Sequence, residues 1–292
     1  MDKVNLKAPA KINLYLRVLD KRPDGYHNID SLMQAVSLYD EITLERSDKI
    51  ELICADFDDL PAGDNLAHKA AELMAGMSNF PGVRITLKKN IPIGAGLGGG
   101  SSDAAFVIRG LIKLYNLRLN NTELIRKSAA LGADIPFFLS SGQALVSGIG
   151  DTIEPCHYTG QYRILIIKPP FAVETAKAYS ELDRLRSGKL SLTNTKKMAL
   201  LQRNIVDQDF VRIANLFTND MEEVVFSWHH ELSRLKHSLR QEGAFYAGMS
   251  GSGAAVFGLF PLGRGIEKLA KKFNVGRNLV FICKPEVLLP AN

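Results

Sequence analysis

The chain has little of several features that mark specialised protein classes. Of its 292 residues, only three are cysteine: Cys54, Cys156 and Cys283. They are odd in number and far apart, which excludes a disulfide framework and a cysteine-based zinc site and fits a reducing cytoplasm. No apolar run approaches the ~20 residues that span a bilayer, and residues 1–13 contain no apolar core of signal-peptide length. We therefore expect a cytoplasmic protein that is not bound to a membrane.

The chain also has little excess charge of either sign. The formal net charge is +5, from 36 lysines and arginines against 31 aspartates and glutamates, and the two signs are interleaved. Nucleic-acid binders usually cluster their cations, so we expect no nucleic-acid partner. The six histidines lack metal-binding spacing, so no protein metal site is predicted. An apolar fraction of 46% and a charged fraction of 23% exclude a disordered chain, a collagen and a coiled coil.

The order of apolar patterns indicates an α+β chain. At roughly 100–200 residues per domain, the length suggests about two domains. Alternating strands dominate up to residue 160 and surround a glycine-rich loop, whereas residues 170–242 are mostly helical and are followed by two further strands. We therefore predict an N-terminal domain at 1–160 and a C-terminal domain at 161–292.

The glycine-rich loop is the most informative segment. It lies between a predicted strand and an apolar helix, where backbone N–H groups leading into a helix N-terminus bind anions. A flexible hairpin is the alternative reading. A dinucleotide fold and a Walker A loop are both disfavoured, because no strand leads to an acidic residue about 20 positions on and no lysine follows the glycines. The predicted phosphate-binding residues are Pro92, Ile93, Gly94, Ala95, Gly96, Leu97, Gly98, Gly99, Gly100, Ser101, Ser102 and Asp103.

Several other side chains have two readings when taken alone. Lys11, beside a proline at a strand start, is either a functional cation or a solvated one. Tyr26 and His27 either stack on and hydrogen-bond a planar ring or only close a turn. Asp134, among apolar residues, is either a carboxylate paired with a cation such as Lys11 or a helix N-cap. The loop at 250–253 either covers a phosphate or forms a tight turn.

Three of these segments together resemble the motifs of the GHMP kinase superfamily. They are Pro-Ala-Lys-Ile-Asn at 9–13 with Asp-Gly-Tyr-His at 24–27, the glycine loop at 91–105, and Met-Ser-Gly-Ser-Gly at 249–253. The resemblance runs over the whole chain. It implies a ribosomal protein S5 domain 2-like fold in the N-terminal half and a ferredoxin-like α/β sandwich in the C-terminal half. The active site would lie in the cleft between them.

The resemblance also implies an activity and residue roles. The first motif, together with Leu-Gly-Ala-Asp-Ile-Pro at 131–136, resembles one branch of the superfamily. That branch uses ATP with Mg²⁺ to phosphorylate a small cytidyl diphosphate alcohol of the non-mevalonate isoprenoid pathway. Such an enzyme would be a monomer or a weak homodimer. Asp134 would be the general base and Lys11 its partner. Nucleotide contacts would include Asn65, Lys89 and Asp103, although some members carry Asn where Asp103 stands. Substrate contacts would come from Asn13, Tyr26, His27, Thr175 and Tyr179.

Two rival functions remain open at this point. Another kinase of the superfamily would act on mevalonate, homoserine or a sugar, and the pair Tyr26 and His27, suited to a nucleobase, argues against it. A non-catalytic nucleotide sensor or RNA-binding module would use the same early fold. The joint presence of Lys11 and Asp134 argues against that reading.

Overall fold

The computed structural model describes residues 2–55, 62–156, 161–186, 201 and 213–289. It contains two sheets. The first follows the order β3-β4-β2-β5-β6, with β1 also paired to β2. All its pairings are antiparallel except β3 with β4, which is parallel. Its strands are β1 (Lys3–Lys21), β2 (His27–Arg46), β3 (Ile50–Ile53), β4 (Val83–Lys88), β5 (Gln143–Ser147) and β6 (Thr152–Pro155).

Four helices accompany the first sheet. They are α1 (Leu66–Ala75), α2 (Gly99–Tyr115), α3 (Asn121–Leu131) and α4 (Ile135–Phe138). Helix α2 is buried along most of its length and packs against α1, β1 and β2, which makes it the centre of the first core. Because α2 is held so firmly, its N-terminus is a rigid platform for the loop that precedes it.

The second sheet is antiparallel and has the order β10-β7-β9-β8. Counted along the chain, its four strands lie in the order 4-1-3-2, with helices after the first and third strands, which is the ferredoxin-like arrangement. The elements are β7 (Tyr162–Lys168), α5 (Thr175–Arg186), α6 (Met221–Trp228), α7 (His230–Gln241), β8 (Tyr246–Met249), β9 (Val256–Pro261), α8 (Ile266–Phe273) and β10 (Leu279–Cys283).

The two halves share packed and hydrogen-bonded contacts. One hydrophobic cluster joins Ile12 and Leu14 of β1 to Ile164 of β7 and Phe257 of β9, all buried. The backbone of Leu16 in β1 is bonded on both sides to residues 218 and 220. Strand β1 therefore belongs to the first sheet and also packs against the second half of the chain. None of the described helices has the length and apolarity needed to cross a membrane.

The predicted α+β class is confirmed, but some boundaries differ. The sequence of residues 143–153 predicts a single strand, but the structure has two strands, because the turn between them uses Gly148 and Gly150 at positive φ. The apolar pattern of residues 221–239 predicts one helix, which breaks at His229, whose φ and ψ are −132° and 76°. The sequence also predicts helices at 195–203 and 210–217. Most of these two helices and the predicted domain boundary near residue 160 lie outside the described residues, so the division stays a prediction.

Candidate active site

The glycine loop between β4 and α2 allows close approach of a ligand to the backbone. Gly94, Gly96 and Gly98 have φ of 60°, 72° and 70°, a region that side chains with a Cβ rarely adopt. Gly98 is the N-cap of α2, so the loop leads directly into the unpaired N–H groups of the first helical turn. The helix dipole adds positive potential there, which makes the loop suited to phosphate.

The second glycine-serine loop is bonded directly to the first. The buried Ser250 donates its hydroxyl to the carbonyl of Gly96 at 2.8 Å and accepts from the N–H of Asn13 at 3.3 Å. The Asn219 amide donates to the carbonyl of Gly251 at 2.8 Å. A Cβ on Gly96 would lie 2.0 Å from the Ser250 carbonyl oxygen. The two loops, 154 residues apart, therefore form one packed junction.

Lys11 and Asp134 form an ion pair beside this junction. Lys11, 4% exposed, donates from Nζ to Oδ1 of Asn13 at 2.6 Å, and its Nζ lies 3.4 Å from Oδ2 of Asp134. Asp134 occupies the N-cap position of α4, yet its side chain makes no capping hydrogen bond. The backbone N–H of Lys11 donates to the carbonyl of Leu97 at 2.9 Å. The carboxylate is therefore held by a cation that is itself attached to the glycine loop.

A cavity of about 690 Å³, the acceptor cavity, contains this ion pair. It takes its lining from both halves of the chain. The glycine loop contributes Gly96 and Gly98, and the second loop contributes Gly251 and Ser252. The residues predicted for catalysis and substrate binding all line it: Lys11, Asn13, Tyr26, His27, Asp134, Thr175 and Tyr179, with Ser101 of the glycine loop beside them.

A neighbouring cavity of about 320 Å³, the nucleotide cavity, lies on the other side of the glycine loop. Gly96 and Gly98 line both cavities. The remaining residues predicted for ATP line the nucleotide cavity, namely Asn65, Lys89, residues 92–100 and Asp103. Ser102 is the exception, since it lines neither cavity and its buried hydroxyl has no hydrogen-bond partner among the described residues.

Two of these polar side chains also have structural partners. Asn65 is the N-cap of α1 and accepts from the N–H of Ala67 at 2.9 Å. Thr175 and Ser252 share a hydrogen bond of 2.7 Å between their hydroxyls, which joins α5 to the second loop. Both positions therefore hold their loops in place as well as lining a cavity.

A buried group of three ionisable side chains contributes two of its members, Lys89 and Asp103, to the lining of the nucleotide cavity. Lys89 donates to Asp40 and, at 2.5 Å, to Oδ2 of Asp103. Asp40 is fully buried and also accepts from the N–H of Asn90 at 2.5 Å and of Ile91 at 2.8 Å. Burial, opposed by Lys89 and reinforced by Asp40, raises the pKa of Asp103 to about 8. One ammonium thus serves two carboxylates at the entrance to the glycine loop.

The turn between β1 and β2 forms one end of the acceptor cavity, and several aromatic side chains lie there. The ring of Tyr26 is exposed, whereas His27 is buried and stacks on Tyr179 of α5 with centroids 5.0 Å apart. Asp183, one turn further along α5, lies 2.6 Å from Nε2 of His27. The turn and α5 together offer flat apolar surfaces with polar edges, which suit a nucleobase.

Sequence reasoning missed two carboxylates of the site. Asp40 stands in a long strand with no local motif, so nothing marked it. Asp183 could have been found, because it follows Tyr179 by four residues and so shares its helix face.

Two family models match regions in the two halves of the chain. The model of the GHMP kinases N terminal domain matches residues 65–142, and that of the GHMP kinases C terminal domain matches residues 198–275. A 4-diphosphocytidyl-2-C-methyl-D-erythritol kinase of Syntrophus aciditrophicus is 41% identical over 259 residues, 88% of this chain and 90% of that one. The corresponding kinase of Desulfotalea psychrophila is 38% identical over 274 residues, 91% of this chain and 89% of that one.

Solved structures give the same picture. A crystal structure of 4-(cytidine 5'-diphospho)-2C-methyl-D-erythritol kinase matches with a TM-score of 0.74 and 32% identity, covering 96% of this chain and 99% of that one. Homoserine kinase from Cytophaga hutchinsonii matches with a TM-score of 0.72 at 19% identity, covering 99% and 98%. The second likeness concerns the fold alone.

The two matched regions and the two-sheet fold place the chain among the GHMP kinases, as the motifs predicted. The identity to full-length relatives narrows the assignment further. The chain belongs to the family of 4-diphosphocytidyl-2-C-methyl-D-erythritol kinases.

Proposed function

We propose that the chain transfers the γ-phosphoryl group of ATP to the 2-hydroxyl of 4-diphosphocytidyl-2-C-methyl-D-erythritol, a step of non-mevalonate isoprenoid synthesis. Asp134 acts as the general base, assisted by Lys11. The observation that carries the proposal is the Lys11–Asp134 ion pair, placed in a cavity that shares Gly96 and Gly98 with the nucleotide cavity. An acceptor hydroxyl beside Asp134 is therefore separated from the phosphate site only by the glycine loop.

Phosphoryl transfer requires mainly positioning and charge stabilisation, because the loose transition state needs little covalent help. The N–H groups of the glycine loop and of the first turn of α2 hold the phosphates. Asp134 accepts the proton of the attacking hydroxyl. Lys11 holds the carboxylate by its charge and brings an ammonium near the transferring group, where negative charge must be balanced.

The nucleotide and the cytidyl end occupy different cavities in this proposal. The adenosine part of ATP lies against Asn65 and the Lys89 group of charges in the nucleotide cavity. The cytosine lies against Tyr26, His27 and Tyr179 in the acceptor cavity. Asn13 and Thr175 contact the polar part of the substrate between its base and the reacting hydroxyl.

Mg²⁺ enters with ATP in this proposal. Among the described residues, no three histidine, cysteine, aspartate or glutamate side chains are grouped so that they could hold a metal ion. In this proposal the ion is part of the nucleotide substrate and is bound through phosphate oxygens and water. This agrees with the preference of Mg²⁺ for keeping several waters.

The proposal is tested by steady-state kinetics with ATP and the cytidyl substrate, with the product verified as a phosphomonoester by ³¹P NMR. Asp134→Asn keeps the shape and removes the base, so we expect kcat to fall by roughly 10²–10⁴-fold with KM for ATP almost unchanged. Lys11→Ala should also lower kcat far more than it weakens ATP binding. Glu123→Gln, an exposed carboxylate on α3 outside both cavities, is the matched control.

Three results would contradict the proposal. If Asp134→Asn phosphorylates the cytidyl substrate as fast as the wild type, Asp134 is not the base. If the wild type prefers mevalonate, homoserine or a sugar, the substrate is wrong although the kinase chemistry stands. ATP binding without phosphoryl transfer to any of these alcohols would revive the nucleotide-sensor reading.

A further inference from the structure

Asp183 connects the second half of the chain to the turn that carries the nucleobase contacts. Its Oδ1 lies 2.6 Å from Nε2 of His27, and its Oδ2 accepts from Nζ of Lys21 at 2.9 Å. Tyr179, also on α5, stacks on the His27 ring with an interplanar angle of 25°. The His27 side chain is only 6% exposed. Two contacts from one helix therefore fix both the position and the rotation of this ring.

We propose that Asp183 is a positioning residue that fixes the tautomer of His27, and that this makes the site select a nucleobase bearing an amino group over one bearing a carbonyl at the same position. The inference rests on the proposed function, because it takes the base of the substrate to lie against His27.

The first step of the argument is the chemistry of the hydrogen bond. A neutral imidazole has one donor nitrogen and one acceptor nitrogen, whereas an ionised carboxylate only accepts. Burial raises the pKa of Asp183, but hydrogen bonds from Lys21 and His27 outweigh it, and the net shift is downward. The carboxylate is therefore ionised and can only accept, so Nε2 carries the hydrogen that it donates to Asp183. A ring with a single hydrogen then has a lone pair at Nδ1.

The second step concerns what Nδ1 faces. His27 lines the acceptor cavity, and its Nδ1 has no hydrogen-bond partner within the described part of the chain. A lone pair there accepts an N–H from a ligand and repels a ligand oxygen. Cytosine presents an amino group where uracil and thymine present a carbonyl oxygen. The fixed tautomer thus distinguishes the two pyrimidines by the direction of a single hydrogen bond.

Lys21 completes the arrangement. Its ammonium pairs with the second oxygen of Asp183 at 2.9 Å, so each carboxylate oxygen has its own partner. The Lys21 backbone also pairs with His27 at the start of the turn, which keeps the three groups in register. Selection in this scheme depends on a group that need not touch the substrate.

The test compares kcat/KM for the cytidyl substrate with that for its uridyl analogue in the wild type, Asp183→Asn and Asp183→Ala. Asparagine can donate to Nε2 as well as accept from it, and alanine releases the ring. Since a net hydrogen bond is worth about a tenfold factor, we expect the cytidyl preference to fall at least about tenfold in both variants. KM for ATP should not change. Glu181→Gln, a partly exposed carboxylate on the same helix that pairs with Arg184 and not with His27, should retain the full preference.

An unchanged preference in both Asp183 variants would overturn the inference while leaving the proposed function intact. A second measurement needs no substrate: ¹⁵N NMR of the imidazole should show hydrogen on Nε2 and none on Nδ1 in the wild type above neutral pH. Hydrogen on Nδ1 would overturn the inference directly. The expected tautomer in a protein that phosphorylates neither pyrimidine substrate would support the role of Asp183 and locate the failure in the proposed function.

Discussion

Replacing Gly96 by alanine tests whether the two glycine loops act as one unit. Gly96 has a φ of 72°, and a Cβ there would lie 2.0 Å from the Ser250 carbonyl oxygen. Contacts of a Cβ below 3.0 Å essentially do not occur, so the two backbones must separate by about 1 Å. The hydrogen bond from the Ser250 hydroxyl to the Gly96 carbonyl joins the same two residues, so we expect this movement to break it.

Two costs add up in this variant. A left-handed backbone conformation costs a residue with a Cβ roughly 1–2 kcal/mol. Forcing extra volume into a packed junction costs roughly 1–3 kcal/mol more. We therefore expect Gly96→Ala to lower the free energy of unfolding by about 2–5 kcal/mol. Because misplacing reacting groups by about 1 Å can cost on the order of 10²-fold in rate, kcat should fall by a comparable factor.

Gly276→Ala is the matched control. Gly276 has a φ of 62°, but a Cβ there would meet nothing within 4 Å, so the variant isolates the backbone cost. Urea denaturation, monitored by circular dichroism, measures the loss of stability. Steady-state kinetics measures kcat and the KM for ATP. If Gly96→Ala loses no more stability than Gly276→Ala and keeps its kcat, the contact between the loops has no functional weight and the reasoning is refuted.

Two further predictions concern the buried charges. Asp40→Ala leaves Lys89 with one carboxylate partner and leaves two backbone N–H groups without an acceptor. Urea denaturation should therefore show that the free energy of unfolding falls by about 3–5 kcal/mol. The control Glu41→Ala removes an exposed ion pair with Lys88 and should change the free energy of unfolding by no more than about 0.5 kcal/mol. The second prediction follows from the raised pKa of Asp103, which is about 8 in the folded protein and about 4 in the unfolded chain. Between these values the folded state holds a proton that the unfolded state releases, so stability should fall as pH rises through this window. Asp103→Asn should remove that fall, and equal pH profiles for the two proteins would contradict it.

Local sequence signals were sufficient to predict where the glycine loop lies in the fold. A run of glycines ahead of an apolar helix has few other uses, and the structure places Gly98 at the N-cap of α2. The partnership of Lys11 with Asp134 was only one of two readings from the residues, because 123 positions separate them. The resemblance favoured this pairing, and the fold brings Lys11 of β1 within 3.4 Å of Asp134 at the start of α4.

The features that sequence reasoning missed depend on packing between elements. Asp40 in β2 is buried because Lys89 and the chain after β4 cover it, and neither is near it in sequence. Asp183 shares a helix face with Tyr179, which its spacing signals, but its contact with His27 depends on the packing of α5 against the turn after β1. For both aspartates the decisive neighbour is distant along the chain. The break at His229 has no proline or glycine to signal it.

The two glycines shared by both cavities have a further consequence for ligands. Because Gly96 and Gly98 have no side chains, the nucleotide and acceptor cavities meet across bare backbone. A Cβ at Gly98 would lie 3.0 Å from the stem of Lys11 and add bulk where the two cavities meet. A single inhibitor that joins a nucleoside to a cytidyl group by a short polyphosphate would cross there, and a larger residue at either glycine should confer resistance to it while also impairing the enzyme.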